Sequence, residues 1–270
     1  MPFFHLQIRD HVAHVQLNRP EKMNAMNLAF WQEIPGAFAE IDRNLDVRVV
    51  LLSGAGRGFS AGLDILDMAS QLPMDGDGTP DGQRQADLHA LIRRMQAAIT
   101  CVERCRVPVI AAIHGVCIGG AVDLITACDM RLASADARFS VRETRLAMVA
   151  DVGTLQRLPA LVGQGMAREL VFTGRDFGAD FAKEIGLVNR VLPDPQALDE
   201  AAQALALEIA ANPPLTVQGA KRVLNEATKY EIDRGLEFVA LWNTAHLVTQ
   251  DLGVAVSAFA TKQPAEFSGH

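Results

Sequence analysis

Three carboxylates stand in the middle of the chain, two of them in strongly apolar company. Asp123 lies among Val122, Leu124 and Ile125, and Asp151 lies between Met148-Val149-Ala150 and Val152-Gly153. Carboxylates in such surroundings keep their protons to higher pH than usual, which suits general acid–base work. Glu143 lies eight residues before Asp151, and the flanking Arg142 and Arg145 make ion pairing its competing expectation. The ordinary fate of an Asp or Glu is a solvated or salt-bridged surface position. Asp151 departs from that fate most clearly and Glu143 least.

Two small-residue segments could supply the complementary charge. Phe59-Ser60-Ala61-Gly62-Leu63-Asp64-Ile65 follows the loop Gly54-Ala55-Gly56-Arg57-Gly58, and Gly119-Gly120 follows the run Ile113 to Ile118. Small residues let the backbone come close to a ligand. At the Gly-Gly pair a buried strand runs into the start of an apolar helix, where unpaired N–H groups carry partial positive charge. One N–H from each segment could bracket a thioester oxygen and stabilise the charge that develops when a proton leaves the α-carbon. A plain strand-to-helix turn, or close helix packing on a sheet, needs the same small residues. Neither G-x-G-x-x-G nor G-x-x-x-x-G-K-[ST] is present, so a nucleotide loop is a weak alternative. Gly58-Phe59-Ser60-Ala61-Gly62 spells G-x-S-x-G, but Ser60 has no neighbouring His, which makes a hydrolase remote. His114 reads as a buried, hydrogen-bonded core residue and not as a catalyst.

Positioning these groups takes strands that end at the glycines and helices that begin there. Phe4–Ile8 and His11–Leu17 alternate as two strands around an Arg9-Asp10 turn. The patterns then predict a helix over 27–41, a buried strand over 47–53, a helix over 86–104 and a buried strand over 107–113. Residues 71–85 are mostly Gly, Pro, Asp and Gln and read as an exposed, mobile loop, a candidate cover for an acyl pocket. After about residue 195 the pattern is almost wholly helical, over 197–211, 214–230 and 232–261 with breaks. The expectation is an α/β core over residues 1–195 and a helical C-terminal region over 196–270.

Bulk properties narrow the partners. Apolar residues make up 49% and charged residues 21%, as in an ordinary globular protein. A formal net charge of -7 argues against a broad nucleic-acid surface. No run approaches the roughly 20 apolar residues that cross a bilayer, and no leader or peroxisomal tripeptide is evident, so a cytoplasmic location is expected. The four cysteines, Cys101, Cys105, Cys117 and Cys128, form no C-x-x-C, and no paired His accompanies them. Reduced, mostly buried thiols are expected, with no metal site.

The paired segments 59–64 and 113–124 resemble the enoyl-CoA hydratase/isomerase (crotonase) family, as do Asn18-Arg19-Pro20-Glu21-Lys22-Met23-Asn24-Ala25 and Ala127-Cys128-Asp129-Met130-Arg131. The resemblance covers nearly the whole chain. Within the family the chain is most similar to the Δ3,5-Δ2,4-dienoyl-CoA isomerases, on Asp123, Glu143 and Asp151 with their surroundings and on the long polar segment after Ser70. The resemblance implies a spiral of ββα units with a helical C-terminal trimerisation region, and trimers often paired into hexamers. It implies an acyl-CoA thioester substrate and no cofactor beyond the coenzyme A that the substrate carries. It places an oxyanion hole at the N–H groups of Leu63 and Gly120. Ala61, Asp64 and Ile65 become candidate coenzyme A contacts, with Lys22 and Lys262 as further phosphate or adenine contacts.

In an isomerase of this kind a proton leaves C2 of a 3,5-dienoyl thioester and another arrives at C6. Two separated acid–base groups can serve the two ends. The resemblance implies Glu143 near C2 and Asp151 near C6, and the sequence leaves the reverse open. Asp123 then polarises or orients the pocket. One departure concerns position 147, where the family usually carries Gly and this chain has Ala147; it puts the aim of Asp151 in question. The runner-up is a hydratase that adds water to a 2-enoyl-CoA, which would favour Glu at position 123 and a small residue at 151. A protein that only binds CoA esters or RNA, without turnover, is the alternative of a different class.

Overall fold

The computed structural model describes residues 2–69 and 80–269. Strands β1 (Phe4–Arg9) and β2 (Val12–Leu17) form an antiparallel hairpin. Its turn is Asp10-His11, one residue later than the pattern predicts. Both residues have positive φ, 49° and 65°, as the favoured two-residue hairpin turn demands. Helix α1 (Leu28–Arg43) follows, its first turn capped by the Asn27 side chain, a favoured residue for that task. Strand β3 (Val49–Gly54) is buried along its whole length.

Helix α2 (Ile65–Ala69) leads to the segment 70–79, where most of the predicted loop falls; that part lies outside the described residues. Helix α3 (Asp81–Arg104) resumes there. Residues 81–85 are therefore helical and not loop. Their polar character is that of a solvated helix start, with a Gln83–Asp87 hydrogen bond of 2.8 Å and an Arg84–Asp81 ion pair. Next come β4 (Val109–Ile113), β5 (Val116–Ile118), α4 (Gly120–Thr126), β6 (Met130–Ser134) and β7 (Arg138–Ser140). A 3₁₀ turn over Glu143–Leu146 precedes α5 (Thr154–Val162) and α6 (Gln164–Thr173). Then follow β8 (Phe177–Gly178), α7 (Ala179–Glu184) and β9 (Arg190–Leu192). The chain closes with α8 (Pro195–Ala210), α9 (Pro214–His246) and α10 (Gln250–Thr261).

The larger sheet runs β1-β2-β3-β4-β6-β9 and is parallel apart from the first hairpin. A smaller sheet runs β5-β7-β8. The architecture is mixed α/β. One face of the larger sheet holds the main core, with Phe30, Phe38, Phe59 and Phe139 fully buried. The other face is covered by α8, whose Leu198, Ala202, Ala206 and Ala210 pack on Val12, Val49, Leu51 and Ile110. Small residues on α8 let it lie close to the sheet.

Helix α9 passes unbroken through the junction expected near residue 231. Its Gly235 faces Gln156 of α5, where an added Cβ would stand 2.8 Å from Gln156 Cγ; the glycine admits a close neighbour and does not end the helix. The break falls after His246, where the Thr249 side chain caps α10 by accepting from Leu252 N at 3.1 Å. All four cysteines are free, and Cys105, Cys117 and Cys128 are buried. Burial pushes the Cys101, Cys105 and Cys128 thiols up to about 12, which makes them inert at neutral pH.

Candidate active site

The segment 59–64 is fixed before any ligand arrives. Asn24 is fully buried, and its amide donates to the carbonyls of Ala55, Gly58 and Phe59. Ser60 Oγ donates to Asn24 O and accepts from Gly62 N. Ser60 is thus committed to backbone bonds and, among the described residues, makes none to a histidine. Arg19 donates to Asp64 at 2.7 Å and to Ala25 O at 2.9 Å, tying the Asn-Arg-Pro segment to the same loop. His114 is only half-buried, contrary to the core position expected of it. Its ring Nε2 donates to Gly56 O at 3.0 Å, bracing the glycine loop from outside.

Gly62 has a φ of 82°, and a Cβ there would lie 2.2 Å from Ile118 O and 3.2 Å from Gly120 N. Only glycine lets the two segments close on each other in this way. Gly120 opens α4, and a Cβ on it would lie 3.7 Å from Leu63 N. The N–H groups of Leu63 and Gly120 are therefore neighbours. Among the described residues neither has a backbone acceptor. Both residues line a cavity of about 530 Å³.

All three carboxylates line that cavity. Asp123, in the first turn of α4, is fully buried; Oδ1 accepts from Thr154 N at 2.5 Å, and Oδ2 has no partner among the described residues. Glu143 does not pair with its flanking arginines. Arg142 pairs with Asp176, and Arg145 Nε donates to Thr173 O at 3.2 Å. The 3₁₀ turn instead sends Glu143 inward, where Oε1 would lie 3.4 Å from a Cβ on Gly119 and Oε2 is buried without a partner among the described residues. Burial raises Glu143 well above the usual carboxylate range, and the Asp123 charge adds to the rise. Asp123 is raised by burial too, against the pull of the Thr154 N–H and Arg157. Burial raises Asp151 to about 7, partly offset by a hydrogen bond from Asn243.

Residues far away in sequence complete the wall. Asn243 on α9 and Gln96 on α3 both reach Asp151. Arg157 holds an ion pair with Glu103 at 2.9 Å and crosses beneath Gly153. No local signal marks Asn243 or Gln96, because each contact spans more than fifty positions; each sits in an amphipathic helix among residues of the same kind. Lys22, Ala61, Asp64 and Ile65 border the cavity, whereas Lys262 is the exposed C-cap of α10 and does not. The remaining wall is mostly apolar, with Trp31, Met68, Leu88 and Ile92 toward α3 and Phe259 toward α10. Among the described residues no group of His, Cys, Asp or Glu is placed to hold a metal ion, and no helix is long and apolar enough to cross a membrane.

Free backbone donors beside carboxylates of raised pKa, in an apolar cavity, are the equipment of enzymes that move protons next to a carbonyl. The chain belongs to the enoyl-CoA hydratase/isomerase family, whose model matches residues 7–270. It is 46% identical over 257 residues to the peroxisomal Δ(3,5)-Δ(2,4)-dienoyl-CoA isomerase of Arabidopsis thaliana, covering 95% of this chain and 92% of that one. It is 47% identical over 249 residues to the mitochondrial protein of that name from Homo sapiens, covering 92% of this chain and 76% of that one. Among solved structures, an enoyl-CoA hydratase/isomerase from Pseudoalteromonas atlantica T6c superposes with a TM-score of 0.84 at 26% identity, covering 98% of this chain and 100% of that one.

Proposed function

We propose that this protein isomerises 3,5-dienoyl-CoA to 2,4-dienoyl-CoA. The observation that carries the reading is the meeting of Glu143 and Asp151, both of raised pKa, in the cavity that the Leu63 and Gly120 N–H groups enter. The identity to proteins named for this reaction supports it.

The thioester oxygen accepts from the N–H groups of Leu63 and Gly120. Glu143 lies beside Gly119, next to that oxygen, and its carboxylate takes a proton from C2. The electron pair runs through the two double bonds, and the enolate charge rests on the oxygen held by the backbone. Asp151, held from α3 and α9 near the acyl end of the cavity, gives a proton to C6. One proton leaves and one arrives, so the reaction needs no cofactor beyond the coenzyme A of the substrate. Asp123 keeps Glu143 basic enough to act. Lys22, Ala61, Asp64 and Ile65 border the mouth where the coenzyme A would lie.

Assembly into homotrimers or hexamers is part of the same proposal. Leu215, Tyr230, Phe238 and Trp242 on α9 are exposed, more apolar surface than a lone helix face normally leaves to water. Light scattering that gives a monomer would overturn it. A cytoplasmic location is proposed with it and is read by fractionation.

The test of the reaction follows ultraviolet absorbance of the conjugated thioester with a 3,5-dienoyl-CoA and, separately, a 2-enoyl-CoA. Growth of the 2,4-dienoyl band with the native protein, and its loss in Asp151→Asn, is the expected result. Decay of only the 2-enoyl band identifies a hydratase, and no change in either identifies a protein that binds without turnover.

A further inference from the structure

Asp151 is gripped at two atoms by two helices. Gln96 on α3 is buried, and its Nε2 donates to Asp151 O at 2.7 Å and to Leu236 O at 2.9 Å. Asn243 on α9 is likewise buried, and its Nδ2 donates to Val149 O at 2.9 Å and to Asp151 Oδ2 at 2.7 Å. A backbone carbonyl only accepts, so the bond to Val149 settles which end of the Asn243 amide is the nitrogen. Both amide hydrogens are then committed. The second one points at Oδ2, and a proton on that oxygen would face it donor to donor. Oδ1 accepts no hydrogen bond among the described residues, and Asp151 lines the cavity.

We propose that Asn243 is a positioning residue for Asp151, pinning Oδ2 as an acceptor so that the transferred proton is carried on Oδ1 alone. This rests on the reading that Asp151 delivers a proton to the acyl chain. A carboxyl group free to turn would spread its proton over two oxygens and two directions. One fixed at Oδ2 presents a single donor along one line, which is what transfer to one carbon of a long acyl chain requires. The grip also ties the acid to α9, the helix that carries the exposed apolar residues of the C-terminal region.

The charged groups around Asp151 come from several elements. Asp123 belongs to α4 and Glu143 to the 3₁₀ turn, and Arg157 of α5 reaches Val152 O. Arg93 on α3 donates to Gln96 Oε1 and pairs with Glu237 of α9, which also faces His89. None of these is altered by substitution at 243, so a change in the titration of Asp151 reports the amide.

Asn243→Leu keeps the approximate size and removes the donor, while Asn243→His restores a ring N–H at similar reach. The ¹³C signal of the Asp151 carboxyl, identified by its loss in Asp151→Asn, is titrated in each protein. In Asn243→Leu the midpoint should rise by about one unit or more, because the anion loses a hydrogen bond. The basic displacement should be reversed in Asn243→His. Turnover of the 3,5-dienoyl-CoA should fall about tenfold in kcat with KM within about twofold, and the matching limb of the pH profile should move with the carboxyl. A folded Asn243→Leu protein with an unmoved midpoint overturns the proposal. If Asn243→Leu does not fold, Asn243→Ser, too short to reach Oδ2, is titrated with the same expectation. The titration needs no turnover, so a native protein that fails to isomerise the dienoyl-CoA counts against the reaction and not against the grip.

Discussion

Asp123 Oδ1 accepts the backbone N–H of Thr154 at 2.5 Å, so a carboxylate in the first turn of α4 caps the first turn of α5. The cap residue itself, Gly153, has no side chain to offer, and its φ of 136° admits no other residue without strain. The loop that carries Asp151 is thereby anchored to the helix whose N-terminus opens at the Leu63–Gly120 pair. Cap, acid and backbone donors form one continuous piece of structure.

Removing that cap should cost stability as well as activity. Asp123→Ala leaves the buried Thr154 N–H without an acceptor, a loss of about 1–3 kcal/mol. Asp123→Asn keeps a carbonyl oxygen in the same place and should lose less than half as much. Calorimetric melting of the two variants side by side checks this, and equal melting temperatures would show that the bond contributes nothing.

Asp151 makes the protein's stability depend on pH with a definite sign. Its ordinary value is 3.8, and the folded protein raises it to about 7. Between those values the folded state holds a proton that the unfolded state has released, so stability falls as pH rises through the window. Asp151→Asn abolishes the term. The variant should therefore melt higher than the native protein at pH 8, by at least about 1 kcal/mol or roughly 2–4 °C, and equally at pH 4. Its kcat should fall by about 10²- to 10⁴-fold. Higher stability with lower activity at pH 8 is the signature to look for, and a variant that melts lower at pH 8 than at pH 4 relative to the native protein would contradict it.

Much of this site could be read from sequence because its determinants are local. The glycines at 62, 119 and 120 and the apolar neighbours of Asp123 and Asp151 sit within a few residues of the groups they serve. Strand and helix periodicity likewise located α1, β3 and β4 to within two residues. What local pattern could not carry was direction. Glu143 looked paired because two arginines flank it, but a 3₁₀ turn points neighbouring side chains apart, and only the carboxylate faces inward. The polar start of α3 looked like a loop because a solvated helix turn and a loop share a composition. The contributions of Asn243 and Gln96 arise from contacts between distant helices, which no window of sequence contains.

The family resemblance implies a glycine near position 147, where this chain has Ala147, and the backbone shows the consequence. It ends the 3₁₀ turn with φ 54° and ψ 33°, a left-handed conformation. An alanine there costs about 1 kcal/mol relative to glycine. Ala147→Gly should raise the melting temperature by roughly 2–4 °C. The Asp151 loop is held independently by Gln96, Asn243 and Asp123, so kcat should stay within about twofold. A large drop in kcat would mean that the strained turn itself aims the acid.

The backbone donors can be tested without touching a carboxylate. Gly120 has ordinary helical geometry, so alanine suits its conformation, unlike Gly62 or Gly119 with φ of 82° and 56°. The added methyl would stand 3.7 Å from Leu63 N and 3.3 Å from Met26 Sδ. Met26 can shift, since thioether side chains adapt readily, but the Leu63 backbone is fixed by the bonds of Met26 and Asp64 on either side of it. On the proposed reading, the methyl occupies space that the thioester oxygen needs. Gly120→Ala should keep its melting temperature within about 2 °C while kcat falls by about 10²-fold, the usual cost of losing one oxyanion donor. Intact turnover in that variant would place the developing charge somewhere other than between Leu63 and Gly120.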